Sequence, residues 1–185
     1  MADLLPALDP VSAFFAAERD TLLALGEGAR VLDLACGRGR HSVAAAELGL
    51  SVLSVDRNAE ALNELGQFVP SGNGAIETRV IDLEGDATPA LDVPHLQAVF
   101  VFRYLHRSLM PWIEDQLAPG GFLLYETFTT AQRDLGWGPS RSDFLLEPGE
   151  LPTLFPRLEV EFYAEGRTDE ARPAETARLR ARKPA

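Results

Sequence analysis

Residues 31–40 read VLDLACGRGR, an apolar run that passes directly into a turn with two glycines. The apolar run predicts a buried strand. Gly37 and Gly39 can take the positive φ values of a tight turn, and they let a ligand approach the backbone closely. A helix predicted over residues 41–48 follows at once, so its unpaired N–H groups can contact ligand oxygens. This strand, turn and helix together predict a nucleotide site.

Predicted strands and helices alternate along nearly the whole chain around this unit. Further strands are predicted at Ser51–Asp56 and over residues 76–81, 97–102 and 122–125, and helices over residues 10–26, 59–68 and 108–117. Residues 127–147 predict a long loop, residues 148–155 a short helix, and residues 158–164 and 176–182 two final strands. Such alternation with short connections is typical of a mostly parallel sheet that is covered by helices on both faces.

Acidic residues stand at or near the ends of three consecutive predicted strands, namely Asp33, Asp56 and Asp82. The carboxyl ends of parallel strands form the edge at which open α/β sheets bind ligands, and a carboxylate placed like Asp56 can accept both hydroxyls of a ribose. The alternative is that each aspartate only caps the helix that follows it. Three such residues behind a glycine turn favour the nucleotide site.

The glycine turn alone does not determine which nucleotide binds. Ser42 stands where a dinucleotide fingerprint needs a small residue, so NAD fits. The form D-x-A-x-G-x-G of residues 33–39, with its acid inside the strand, resembles class I S-adenosylmethionine-dependent methyltransferases more closely. Similarity to that family continues through residues 99–104 and 117–121 to about residue 128. Family members usually have glycine at the position of Ala35.

The resemblance implies a seven-stranded, mostly parallel Rossmann-like sheet with helices on both faces and a C-terminal antiparallel hairpin. It implies one domain over residues 1–185, with an N-terminal helix (1–28), a donor-binding core (29–128), an acceptor-side loop (129–150) and the hairpin (151–185). Residues 37–42, GRGRHS, are most similar to the tellurite-resistance-type methyltransferases.

The resemblance also implies a set of donor-binding residues. Gly37 and Gly39 would hold the amino-acid end of S-adenosylmethionine with the help of Asp33, Asp56 would hold the ribose, and Asp82 with Leu83 the adenine. The full set of residues expected at the donor is Asp33, Ala35, Gly37, Gly39, Asp56, Arg57, Asp82, Leu83 and Phe102.

Arg103, Tyr104 and His106 follow the fourth strand, where the family places groups that face the acceptor. We expect His106 to accept a proton from the nucleophile, Tyr104 to orient the acceptor and Arg103 to bind an anionic group. In the alternative interpretation, Arg103 and Arg107 pair with surface acids and His106 caps the next helix. Trp137 is expected either to anchor its loop or to line the acceptor pocket.

The composition indicates which binding partners and which cellular compartment to expect. The chain has 17 basic and 28 acidic residues, for a net charge of −11, which argues against nucleic acid as a partner. No apolar run approaches the roughly 20 residues of a membrane span, and the N-terminal residues lack the pattern of a secretion signal. We therefore expect a cytoplasmic protein with a small-molecule acceptor.

Cysteine and histidine give no sign of a metal site. Cys36 is the only cysteine, so an internal disulfide is impossible. Nothing near it in the sequence could activate a nucleophile, and we expect a packed residue. His41, His95 and His106 lack the spacing of zinc ligands. His41 is expected to begin the helix at the nucleotide site.

The sequence thus predicts methyl transfer from S-adenosylmethionine to a small-molecule acceptor by in-line displacement. A nucleotide-binding oxidoreductase is one alternative. An oxidoreductase of this kind would be supported by a Tyr-x-x-x-Lys pair. The sequence does not contain such a pair, because its only lysine is Lys183. A non-catalytic module that binds S-adenosylmethionine and regulates a partner is the other.

Overall fold

The computed structural model describes residues 8–85, 91 and 96–185, and the chain divides at Leu91 into two compact units. His95 lies outside the described residues. Within the described ranges, no helix has the length and apolar character that crossing a membrane requires. In the same ranges, no three His, Cys, Asp or Glu side chains are grouped as metal ligands.

Among its described residues, the first unit contains three parallel strands and four helices. The strands are β1 (Arg30–Leu34), β2 (Ser51–Asp56) and β3 (Ala75–Val80), and the helices are α1 (Ala13–Ala17), α2 (Arg19–Leu23), α3 (Arg40–Glu47) and α4 (Ala59–Leu65). Strand β2 pairs with both other strands, which gives the order β3-β2-β1. The last four residues of β1 and the middle four of β2 are buried, as the apolar runs predict.

The single N-terminal helix predicted over residues 10–26 is instead two short helices, α1 and α2, separated at Glu18. Glu18 has φ −87° and ψ 8°, which is outside the helical region. Its buried carboxylate accepts a hydrogen bond of 2.9 Å from the Thr21 hydroxyl. The Glu18 N–H donates to the Phe15 carbonyl, three residues back, at 3.1 Å, so the regular four-residue bonding of an α-helix is interrupted there.

The part of the second unit that the structure describes contains four strands and two α-helices. The strands are β4 (Leu96–Phe102), β5 (Leu117–Phe128), β6 (Glu159–Arg167) and β7 (Glu175–Arg182), and the helices are α5 (Met110–Gln116) and α6 (Glu150–Thr153). Strands β4 and β5 are parallel, whereas β7 is antiparallel to both β5 and β6, in the order β4-β5-β7-β6. The antiparallel pair β6 and β7 is the predicted C-terminal hairpin.

Strand β5 is longer than predicted at both ends. Its first residues include the turn-forming Gly120 and Gly121, whose backbones are paired with Lys183 by bonds of 2.9 and 2.8 Å. At its other end, Thr127 and Phe128 pair with β7. The long loop that follows contains two 3-10 turns, Thr130–Leu135 and Ser142–Phe144.

Candidate functional site

The glycine turn between β1 and α3 has one residue that borders open space. Gly37 has φ 57°, and a Cβ built on it would meet no heavy atom within 4 Å. Gly39 has φ 79°, and a Cβ built there would lie 2.5 Å from both terminal methyl carbons of Leu65. The two glycines therefore have different roles. Gly37 leaves room for a ligand at the backbone, and Gly39 allows α4 to pack closely against the turn.

Asp56, at the end of β2, fixes the shape of this turn. Its Oδ2 accepts a hydrogen bond of 2.8 Å from the Gly37 N–H, and its Oδ1 accepts one of 2.9 Å from the Asn58 N–H. A carboxylate has about four acceptor positions, so it can still take the two hydroxyls of a ribose. The cap of α4 is Asn58, whose side chain accepts from the Ala61 N–H. Asp56 is therefore not the helix cap of the alternative interpretation.

Asp33 is buried beneath the turn and is 1% exposed. The Ser42 hydroxyl donates to its Oδ2 at 2.6 Å, and the Ser54 hydroxyl donates to Ser42 at 2.8 Å. Burial raises the pKa of Asp33 to about 7, against the lowering effect of the Ser42 bonds. Gly39 is the cap residue of α3, so Asp33 does not cap that helix either. Contact between Asp33 and the donor stays a prediction.

Asp33 is expected to make stability depend on pH. Since folding raises its pKa from 3.8 to about 7, the folded chain holds the proton more tightly. The resulting gain in the free energy of unfolding is complete below about pH 4. It is lost as the pH rises to 7, by at most about 1.4 kcal/mol per pH unit. Urea unfolding between pH 4 and 8 should show this slope in the parent and lose it in Asp33→Asn. A stability difference between the two chains that stays constant with pH would contradict the assignment.

Asp82 and Leu83, the predicted adenine contacts, follow β3 by two and three residues. Asp82 is exposed, and its Oδ1 accepts a hydrogen bond of 3.0 Å from the Glu84 N–H. Leu83 is buried. Arg57 is exposed and lies 3.6 Å from the carboxylate of Glu84. Asp82 and Arg57 thus remain accessible at the carboxyl end of the strands, and their contacts with the donor stay predictions.

The surroundings of Cys36 and His41 indicate that both side chains have structural roles. Burial, reinforced by the carboxylates of Asp33 and Asp56, raises the pKa of the Cys36 thiol, so the thiol remains protonated and is a poor nucleophile. His41 is buried in the first turn of α3. Its Nε2 accepts from the Ser12 N–H at 3.2 Å, and its ring lies 4.9 Å from that of Phe15. His41 therefore connects α3 to the N-terminal helices.

In the second unit, the segment after β4 begins with a strained residue. Phe102, the last residue of β4, is buried, and Arg103 has φ 57°. Among the described residues, Arg103 and Ala35 are the two non-glycine residues with positive φ, and each directly follows a strand. Strained backbone of this kind is often found at functional sites. The Arg103 N–H donates to the Glu126 carbonyl at 2.8 Å, and its side chain lies 3.6 Å from the carboxylate of Glu170.

Tyr125 holds this segment in place. It is fully buried on β5, and its hydroxyl donates to the Tyr104 carbonyl at 2.8 Å. Burial raises its pKa, so the hydroxyl remains a donor. This role of Tyr125 was not predicted from the sequence, because a tyrosine in an apolar strand is typical of the core. The available signal is that a buried tyrosine hydroxyl needs a partner.

His106 and Arg107 differ in how they are held. His106 Nε2 lies 2.7 Å from the Ser108 hydroxyl, and its side chain does not cap the following turn. Arg107 bonds to both carboxylate oxygens of Glu150, at 2.5 and 2.9 Å, and it donates to the carbonyl of Leu145 at 2.9 Å. The expected pairing of Arg107 with an acid is therefore present, and it connects this segment to α6.

Residues 129–150 are fixed to the start of β7 by a second buried side chain, Gln132. Its amide donates to the Trp137 carbonyl and accepts from the Glu175 N–H, both at 2.8 Å. The Trp137 ring contacts Phe128 edge-on, with centroids 5.7 Å apart, and the Arg172 guanidinium lies 4.0 Å above it. Trp137 thus anchors its loop, and a place in an acceptor pocket stays a prediction.

The chain is similar in sequence to a known protein family and to a curated relative. Residues 21–151 match the sequence model of the family described as Tellurite resistance protein TehB. The ribosomal protein L11 methyltransferase of Wolinella succinogenes is 33% identical over 135 residues, which are 67% of this chain and 46% of that protein. The chain therefore spans about half the length of this curated relative.

Solved structures show the same fold. TehB from Haemophilus influenzae has a TM-score of 0.72 at 20% identity, over 90% of this chain and 62% of that chain. The N-methyltransferase NodS from Bradyrhizobium japonicum, in complex with S-adenosylhomocysteine, has a TM-score of 0.63 at 18% identity, over 94% and 89% of the two chains. The predicted Rossmann-like methyltransferase fold, with seven strands and a C-terminal antiparallel hairpin, is confirmed.

The family match covers well over half of the chain, and it agrees with the similarity noted for residues 37–42. The prediction of a tellurite-resistance-type family is thus also confirmed. The chain belongs to the TehB family and has the fold of S-adenosylmethionine-dependent methyltransferases.

Proposed function

We propose that this chain transfers a methyl group from S-adenosylmethionine to a small-molecule acceptor. Family membership and fold support the proposal. The observation that carries it is the turn at Gly37, where the backbone borders open space beside the half-buried carboxylate of Asp56. A ligand with a ribose and an extended chain fits this combination.

In this proposal the donor is bound by the residues that the sequence predicts for it. Gly37 and Ala35 lie in the turn that receives the amino-acid end, and Asp56 accepts the ribose hydroxyls. Asp82 and Leu83 contact the adenine. When bound, S-adenosylmethionine supplies an electrophilic methyl carbon, which the acceptor nucleophile attacks in line as the thioether leaves. Phe102, at the end of β4, contacts the donor near that methyl group.

The second unit supplies the groups that handle the acceptor. His106 accepts the proton that the nucleophile loses, the Tyr104 hydroxyl orients the acceptor, and Arg103 binds an anionic group on it. Their contribution is mainly to hold the nucleophile in line with the methyl carbon, since alignment provides a large part of the rate in such reactions. The backbone of this segment is rigidly placed by Tyr125.

Acceptor-side variants are expected to reduce turnover while leaving donor binding intact. His106→Ala removes the proton acceptor and Tyr104→Phe removes one hydroxyl, and each should lower methyl transfer by about tenfold or more. Affinity for S-adenosylhomocysteine should stay within about twofold of the parent. Tyr163→Phe, in a tyrosine that donates to Glu165 on β6, is the matched control. Unchanged turnover in both variants would assign these residues a structural role only.

A protein acceptor is the second candidate, because the relative from Wolinella succinogenes is a ribosomal protein L11 methyltransferase. The chain spans less than half of that enzyme. Its net charge of −11 attracts a basic protein partner, whereas it repels nucleic acid. This candidate differs from the first in the size of the labelled product.

The deciding experiment uses S-adenosylmethionine labelled in the methyl group. Cell extract is separated by ultrafiltration into a metabolite fraction and a protein fraction, and each is incubated with the full chain and the labelled donor. The proposal expects label in metabolites and none in protein beyond a control without the chain. Label that appears only in protein would replace the first candidate with the second.

A further inference from the structure

The turn between β6 and β7, residues 168–174, lies at the same edge of the sheet as Arg103. Strand β7 is antiparallel to both β5 and β6, and β5 is parallel to β4, so β6 runs in the same direction as β4 and β5. The carboxyl ends of these three strands therefore meet at one edge, which is where α/β sheets bind ligands. The turn follows β6 at this edge, as Arg103 follows β4.

Hydrogen bonds close the base of this turn. The Thr168 N–H donates to the Ala174 carbonyl at 2.7 Å, and the Ala174 N–H donates to the buried Thr168 hydroxyl at 2.9 Å. Farther along the turn, Arg172 makes the contact with the Trp137 ring described above. In sequence, Glu170 stands between these two attachments. Its place relative to the rest of the edge is therefore defined.

Glu170 reaches Arg103, the residue proposed to bind an anionic group of the acceptor. The distance between Arg103 Nη2 and Glu170 Oε2 is 3.6 Å, which is an ion pair but too long for a hydrogen bond. Among the described residues, no other side chain bonds to the Arg103 guanidinium. The side chain of Arg103 is 36% exposed. An external anion can therefore reach the guanidinium and take hydrogen bonds from it.

The position of Glu170 opposes that binding. An anion on the Arg103 guanidinium would lie close to the Glu170 carboxylate, and two like charges at short range repel each other. An oxyanion that accepts two parallel hydrogen bonds from a guanidinium is held more strongly than an ion pair that has no hydrogen bond. Such an oxyanion can displace Glu170, whereas an anion without this geometry cannot.

We propose that Glu170 is a specificity-determining residue for the acceptor, an inference that rests on the proposed function. Its carboxylate pairs with Arg103 until the anionic group of the acceptor takes its place on the guanidinium. This exchange lowers the affinity of Arg103 for every anion, so that weakly held anions are excluded. The acceptor selected in this way carries a carboxylate or another oxyanion that accepts two hydrogen bonds.

Benzoate is a suitable probe, and its binding to the full chain is titrated by ligand-observed NMR at constant ionic strength. Glu170→Gln keeps the length of the side chain and removes its charge, so it should tighten benzoate binding about three- to tenfold. Asp169→Asn, at an exposed neighbour in the same turn, removes the same charge from a screened position and should stay within about twofold of the parent. Arg103→Met should weaken benzoate binding at least about tenfold.

A double variant shows whether the effect of Glu170 passes through Arg103. In the Arg103→Met background, Glu170→Gln should change benzoate affinity by less than about twofold, because the guanidinium for which the two carboxylates compete is absent.

Equal benzoate affinity in the parent and Glu170→Gln, or no binding to either, would overturn the proposal. So would equal tightening in Asp169→Asn, tightening that persists without Arg103, or parent-like binding in Arg103→Met. Calorimetry with S-adenosylhomocysteine on the same samples shows that each variant is folded. It also separates the two proposals: intact donor binding without the effect of Glu170 removes this inference alone, and absent donor binding in the parent removes the proposed function.

Discussion

Gly37→Val is expected to lower the affinity for S-adenosylhomocysteine by about 100-fold, or about 2.7 kcal/mol. A Cβ built on Gly37 meets no heavy atom within 4 Å, so the side chain of valine would point into open space. It would then occupy the volume that the ligand needs at the backbone. The φ of 57° adds strain of about 1–2 kcal/mol to the folded chain.

Gly28→Val separates that strain from the loss of binding. Gly28 has φ 74°, and a Cβ there likewise meets nothing within 4 Å, but the residue has no predicted contact with the donor. Calorimetry should find Gly28→Val binding like the parent, with a similar loss of thermal stability in both variants. Parent-like affinity in a folded Gly37→Val chain would refute the assignment of the turn to the donor.

Asp56→Ala is expected to weaken the same ligand by about 10- to 150-fold, which corresponds to about 1.5–3 kcal/mol for hydrogen bonds to a charged group. Two effects combine. The variant loses the predicted bonds to the ribose hydroxyls, and the Gly37 N–H loses its partner at 2.8 Å, which loosens the turn.

Glu64→Ala is the control for the loss of a negative charge. Glu64 lies on α4, and its carboxylate pairs with Arg38 of the turn at 2.9 Å, yet no contact with the donor is predicted for it. Calorimetric titration should show parent-like affinity for Glu64→Ala. Equal weakening in both variants would mean that net charge, and not the ribose contact, determines binding.

Strands β1, β2 and β4 were predictable because each is a short, largely apolar run between turn residues. Strand β2 has the predicted bounds, and β1 and β4 differ from prediction by a residue. The ends of β5 were not predictable, since they depend on pairing with β7, about 50 to 60 residues later in the chain. The break at Glu18 also escaped prediction, because the apolar pattern continues at helical spacing through a residue whose φ of −87° and ψ of 8° interrupt the helix.

The candidate site was likewise predictable from the sequence only in part. The glycine turn and Asp56 are close in sequence, and the 2.8 Å bond between Gly37 and Asp56 agrees with their predicted proximity. Distinguishing Gly37 from Gly39 required the position of Leu65, which local sequence does not contain.

Calorimetric titration of the full chain with S-adenosylhomocysteine and, separately, with NAD⁺ and NADH tests the central claim most directly. The proposed donor site predicts binding of one S-adenosylhomocysteine per chain, with an affinity that Asp56→Ala weakens and Glu64→Ala leaves unchanged. It predicts no heat of binding for either nicotinamide cofactor. Binding of NAD⁺ or NADH in the absence of any binding of S-adenosylhomocysteine would contradict the methyltransferase assignment and favour an oxidoreductase.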